Sequence, residues 1–116
     1  MIYRAYYDAL RRLLGDGNLD KRVTHIGFGS SAASPNAEVS ALTTPVLTPI
    51  AAVVHHPTDT RRTAFHFLLP LDEGVGLTIR EIGLLTADGT LVYREVRAPI
   101  TKTADMEFGD VLNLQV

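Results

Sequence analysis

VGLTIREIGLLTADGTLVYREVR, residues 75–97, reads as two β-strands joined at Asp88-Gly89. The dipeptide stands between two runs of apolar and β-branched residues, and it favours a two-residue hairpin because a type I′ turn needs positive φ at both central positions. With Ala87 opposite Thr90, the register sets Leu85 against Val92, Leu84 against Tyr93 and Ile82 against Glu95. Ile82, Leu84, Leu91 and Tyr93 then share one face, and Leu85, Val92 and Val96 the other. Upstream, the apolar positions change parity: Leu77 and Ile79 are odd, Ile82 and Leu84 even. A period-two element changes parity only through an extra residue, which predicts a β-bulge at Arg80-Glu81. A hairpin apolar on both faces is not a sheet with one solvated side, so a second layer or a partner subunit is expected over each face.

A second hairpin precedes this one. Residues 60–69 carry Phe65, Phe67 and Leu69 on one face and stop at Pro70, whereas residues 47–56 alternate Ile50, Ala52 and Val54 with Ala51, Val53 and His55. His56 to Asp59 form the turn between them. Pro45 and Pro49 restrict residues 38–49 to a short turn and an edge-like extended segment. The first strand covers residues 22–28, and Ser34, Pro35 and Asn36 mark a loop after it. Past Val96, APITKTADM reads as a loop in which Pro99 breaks pairing. Residues 106–116 form a last strand with Met106, Phe108, Leu112, Leu114 and Val116 on one face. Because this strand runs to the final residue, its end is expected to be paired, in its own sheet or against a neighbour.

At the other end, Tyr3, Tyr7, Leu10 and Leu14 recur at helical spacing over residues 3–14, with Asp8 four residues from both Arg4 and Arg12. Gly15 and Gly17 end that helix. The expected fold is α+β and β-rich: one domain over 1–116, a helix packed on an antiparallel β-sandwich-like core of about six strands (about 22–28, 47–56, 60–69, 76–86, 90–97 and 106–116).

Composition narrows the function. A net charge of −2 argues against nucleic-acid binding through bulk charge, and the absence of cysteine removes disulfides and thiolate metal sites. The N-terminus lacks the apolar core of a secretory signal, and no run approaches the roughly 20 apolar residues that cross a bilayer. Synthesis and retention in the cytoplasm are therefore expected, until something else carries the chain out.

Candidate chemistry is sparse. Tyr3, Tyr6 and Tyr7 near arginines suit a stacking platform or, more simply, helix core beside a basic face. His55 with Asp59 is part of a zinc shell at most, because His55 and His56 point to opposite faces of a strand and His66 reads as a half-buried packing residue. Gly27 and Gly29 before Ser30-Ser31 match neither a Walker nor a dinucleotide fingerprint, and no serine sits in a nucleophile elbow. Arg80 and Glu81, at the expected bulge, are the charged pair of most interest, with cross-strand pairing to Arg94 and Glu95 the simpler role. No catalytic, cofactor-binding or metal residue is assigned.

LTIREIGLLTADGTLVYRE resembles the characteristic segment of the N-terminal domain of phage tail fibre (tail-collar fibre) proteins. The helix followed by VTHIGFG is similar to the start of that family, and Ala41, Leu42, Thr43 and the strand through Val53 and Val54 fall in the same order. The family's G-D-G-like turn is replaced here by Gly29-Ser30-Ser31. The resemblance implies a non-enzymatic structural protein of the virion tail, made in the bacterial host cytoplasm. It would attach or adapt a fibre to the baseplate or tail tip, meeting other tail, baseplate or fibre subunits and its own copies, with neither nucleic acid nor membrane as partner. Ending at Val116, the chain looks like the attachment module alone. The residues expected to meet partners are Tyr3, Tyr6, Tyr7, Arg80, Glu81, Leu112, Leu114 and Val116. A carbohydrate- or receptor-binding module of a tail tip is the alternative, followed by a small metal-dependent enzyme.

Overall fold

The computed structural model, which describes residues 2–34 and 39–116, contains a helix α1 (Arg4–Asp16), a 3-10 turn (Leu19–Lys21) and seven strands. The strands are β1 (Val23–Gly29), β2 (Val46–Pro49), β3 (Ala52–His55), β4 (Arg62–Leu69), β5 (Thr78–Thr86), β6 (Leu91–Thr101) and β7 (Phe108–Gln115). They form two antiparallel sheets, ordered β2-β1-β5-β6 and β3-β4-β7. The fold is α+β and β-rich, as the sequence implies. Pro35 and Asn36, expected in a turn, lie outside the described residues.

The inner faces of the two sheets share one core. Ile26, Phe28, Ile82, Leu84 and Val92 from the first meet Phe65, Phe67, Leu69, Leu112 and Leu114 from the second. Phe28 packs edge-on against Phe67 and Phe108, ring centres 5.2 and 5.9 Å apart, a geometry that suits the ring quadrupoles. The alternation expected for residues 60–69 is therefore correct, and Pro70 does end the strand.

Residues 47–56 are not one strand. β2 pairs with β1 in the first sheet and β3 with β4 in the second, so Ile50 and Ala51 carry the chain from one sheet to the other. Apolar alternation continues through the crossing, which is why the period does not reveal it. β6 also runs further than expected, to Thr101. Pro99 lies within it, in a stretch where Ile79 pairs with Ile100 but Glu81 with Val96. The expected irregularity lies between Ile79 and Glu81, but the surplus residues are on β6, where residues 97–99 stand opposite Arg80 alone rather than an extra residue standing on β5; Ile79 and Ile82 both enter the core.

The 86–90 turn differs from the expected type. Gly89 takes φ 86°, but Asp88 does not turn left-handed. The Gly89 N–H donates to the Thr86 carbonyl and the Thr86 N–H to the Thr90 carbonyl, both at 3.0 Å. This is a three-residue loop ending in a left-handed glycine. Asp88 favours it, because its carboxylate accepts from the Thr86 hydroxyl, the Thr90 hydroxyl at 2.9 Å and Lys21 Nζ at 2.6 Å. Leu85 consequently pairs with Leu91, and a shift next to Leu84 restores Leu84 opposite Tyr93 and Ile82 opposite Glu95. Leu91 moves to the outer face and Val92 into the core, exchanging the faces read from the sequence.

The outer face of the β5–β6 hairpin is covered by this chain itself. Leu85 and Leu91 pack with Tyr3 and Leu42. Gly27 and Gly83 make that approach possible: a Cβ on either would lie 2.6 Å from a leucine methyl, of Leu42 and Leu91 respectively.

Candidate interaction surface

Three structures concern function: a buried ionic clamp under the β1–β2 loop, the solvent side of α1, and the open edge of β3.

The clamp centres on Glu81, which the β5–β6 irregularity turns to the outer face. Its Oε1 accepts from Arg94 Nε at 2.7 Å, and its Oε2 accepts from the N–H groups of Thr43 at 2.8 Å and Ser31 at 3.1 Å. Arg94 donates onward to the carbonyls of Ala33 at 3.1 Å and Ser34 at 3.3 Å. Both side chains are buried. Gly29 is required beneath them, since a Cβ there would lie 2.3 Å from Glu81 Oε2. The pairing expected between Arg80-Glu81 and the opposite strand is thus made by Glu81 and Arg94. It holds together the two ends of a loop rather than presenting charge to a partner.

The helix buries a different stripe from the one read in the sequence. Ala9 is buried, and Ile2, Ala5 and Tyr6 pack with it against the core. Tyr7, Leu10 and Leu14 are exposed, at 56, 39 and 76%. The helix carries apolar residues around a wide arc, and the small Ala9 lets its side approach the sheets more closely than Leu10 could. On the polar side Asp8 accepts from Arg12 at 3.0 Å and from Arg11 at 2.9 Å, and these guanidinium groups hold its carboxyl below the usual range. Gly17, at φ 66°, ends the helix as expected, but Gly15 lies within it and the helix runs to Asp16, two residues beyond the expected end.

Between α1 and the second sheet lies a cleft of about 300 Å³, lined among others by Tyr6, Leu10, Leu13, Val53, Phe65 and Leu114. It continues the apolar stripe of α1 towards β3. Burial, with Tyr7 alongside, raises the Tyr6 phenol pKa. Every residue of β3 is exposed, Val53 and Val54 about half.

The residues expected to meet partners separate sharply. Tyr3, Glu81, Leu112 and Leu114 are buried in this chain. Tyr3 sits under the loop, its hydroxyl accepting from the Val39 N–H at 3.2 Å, while Leu112 and Leu114 face the core because β7 is the outer strand of a sheet whose inner side is covered. These four are structural, a correction to the sequence reading. Tyr6 is half-buried at the cleft, Arg80 is partly exposed, and Tyr7 and Val116 are exposed. Val116 is also tied to β4's approach, its N–H donating to the Arg61 carbonyl. Leu10, Leu14, Val53 and Val54 were read from the sequence as helix stripe and strand, not as residues that meet partners. The signal for the valines was present in AAVVHH, a strand without charge or proline.

His55 and Asp59 do not form a partial metal shell. Asp59 pairs with Arg62 at 3.2 Å, His55 Nδ1 hydrogen-bonds Thr63 Oγ1 at 3.0 Å, and His56 Nδ1 accepts from the Asp59 N–H at 2.9 Å. Among the described residues, no three His, Asp or Glu side chains are grouped to hold a metal ion. Comparison of this chain with models of protein families, with curated proteins and with solved structures returns no match.

Proposed function

We propose that this chain is a structural subunit of a phage tail or phage-derived tail particle, attaching or adapting a fibre to the baseplate or tail tip. It acts by assembly, through contacts with other tail subunits and with its own copies. The observation that supports this reading is the apolar surface left outside a filled core: Tyr7, Leu10 and Leu14 on α1, continued through the cleft to Val53. An apolar patch bordered by charged side chains such as Arg11 and Arg12 is the kind of surface that assembly covers. The resemblance of residues 77–94 to tail fibre N-terminal domains supplies the particle.

The test is incorporation. Tail particles purified from a producing strain should contain the chain by mass spectrometry, and a Tyr7→Ser, Leu10→Ser, Leu14→Ser variant should fold normally yet be lost from them. A chain absent from particles, or a folded variant incorporated at the wild-type level, would overturn the assignment.

A further inference from the structure

We propose that β3 is the edge through which two copies of this chain associate, their Ala52–His55 strands pairing antiparallel so that two three-stranded sheets become one. The inference rests on the self-association in the proposed role, and not on the identity of the particle.

The four edge strands of the fold are β2, β6, β3 and β7. An open edge displays unpaired N–H and C=O groups, and stable proteins block it with proline, charge or a covering segment. β2 is preceded by Pro45 and ends on Pro49. β6 is covered at its first residues by the N-terminal segment, with the Tyr3 N–H donating to the Val92 carbonyl at 3.0 Å, and it carries Pro99 further on. β7 carries Asp110, which pairs with Arg97 at 2.8 Å. β3 is short, at four residues, but among the described residues it carries neither proline nor fixed charge and no covering segment: residues 51–56 are Ala-Ala-Val-Val-His-His, and the whole strand is exposed.

Its backbone is oriented for pairing. The His56 N–H donates to the Arg62 carbonyl at 3.0 Å. Alternation along an antiparallel ladder then turns Val54 towards β4 and leaves the N–H and C=O groups of Val53 and His55 on the open side.

The distribution of charge fits a second copy. An antiparallel pair about a two-fold axis normal to the sheet, near Val53 and Val54, sets valine beside valine. The charged side chains nearest along the chain, Asp59, Arg61 and Arg62, follow the turn and fall beyond the paired segment, towards the neutral 48–50 end of the copy, while Lys21 and Arg22 line the cleft with Val53 and His55. His55 and His56 face residues 52–54 of the copy rather than its histidines. Along the paired segments no like charges meet, and the contact is isologous and closed, so it stops at two.

The test uses sedimentation velocity on the full chain across a dilution series, with Val54→Lys and Val54→Glu, which place like charges near the axis on an exposed position. Wild type should dimerise, each variant alone should dimerise at least about tenfold more weakly, and an equimolar mixture should recover a heterodimer. Amide exchange on wild type gives a readout that needs no variant: the Val53 and His55 amides should gain protection as concentration rises. Protection independent of concentration overturns the pairing. A dimer that Val54→Lys leaves intact but Leu14→Glu breaks overturns β3 as the contact and keeps self-association. A wild type monomeric throughout overturns both, while the particle assignment stands or falls on incorporation.

Discussion

Removing the Arg94 side chain by Arg94→Met should unfold this protein more readily than any surface substitution. Glu81 would keep its two backbone donors, the N–H groups of Ser31 and Thr43, but lose its one ionic partner at 2.7 Å in a site without solvent access. Breaking a buried pair from one side costs about 3–5 kcal/mol, since an uncompensated charge is left behind. Against a total stability of roughly 5–15 kcal/mol for a domain, that is about a fifth of the whole at the least. Arg94→Met also removes the guanidinium hydrogen bonds to the Ala33 and Ser34 carbonyls, so the loss extends to the loop. Glu81→Gln should also destabilise, because a neutral amide replaces the buried carboxylate that accepts from Arg94 Nε. Chemical denaturation of both single variants and the double variant gives the coupling between the two residues, and the double should be clearly less destabilised than the sum of the singles. Single losses below about 1 kcal/mol, or strict additivity, would refute the view that this pair is a desolvated clamp. Amide exchange localises the effect: with the tie from Arg94 to Ala33 and Ser34 lost, the loop opens more often, and the Ser31 and Thr43 amides should exchange faster in Arg94→Met well before those of β4 do.

Three further outcomes follow from the same geometry. Gly29→Ala should destabilise by about 1–3 kcal/mol, because the new methyl meets the Glu81 carboxylate; the melting temperature reports it. Lys21, Thr86 and Thr90 hold the Asp88 carboxyl well below its ordinary range. Its contribution is thus present above the unfolded carboxyl pKa and is lost as pH falls through the lower folded value, so Asp88→Asn should flatten the acid limb of a stability-against-pH curve while leaving neutral-to-basic slopes unchanged. Leu112→Ala should cost about 2–5 kcal/mol in denaturant, whereas Leu14→Ala, at a position 76% exposed, should leave the midpoint essentially where it was.

The strands with strict alternation were legible because a half-buried strand is written with period two. Phe65, Phe67 and Leu69 on β4, and Leu112 and Leu114 on β7, point where that period puts them. The irregularity at Arg80-Glu81 was legible for the same reason, as a break in parity. What lay beyond the period was which layer each face meets. Leu112 and Leu114 read equally well as partner-binding or as core until the opposing sheet was in place.

The candidate surface was less legible still. On α1 two apolar stripes compete, Tyr3-Tyr7-Leu10-Leu14 and Ile2-Tyr6-Ala9-Leu13, and helical spacing does not rank them; the room between the helix and the sheets selects the one containing Ala9.

Local chemistry, carried by near neighbours, fixed where elements begin and end: Gly17 after α1, Pro70 after β4, Gly89 in the hairpin loop. Long-range packing decided the passage of residues 50 and 51 between sheets, the burial of Glu81 on Arg94 and the exposure of β3. Each of those depends on groups far apart in sequence excluding water from one another, and a periodicity of two or 3.6 residues carries no information about which distant segment will do so.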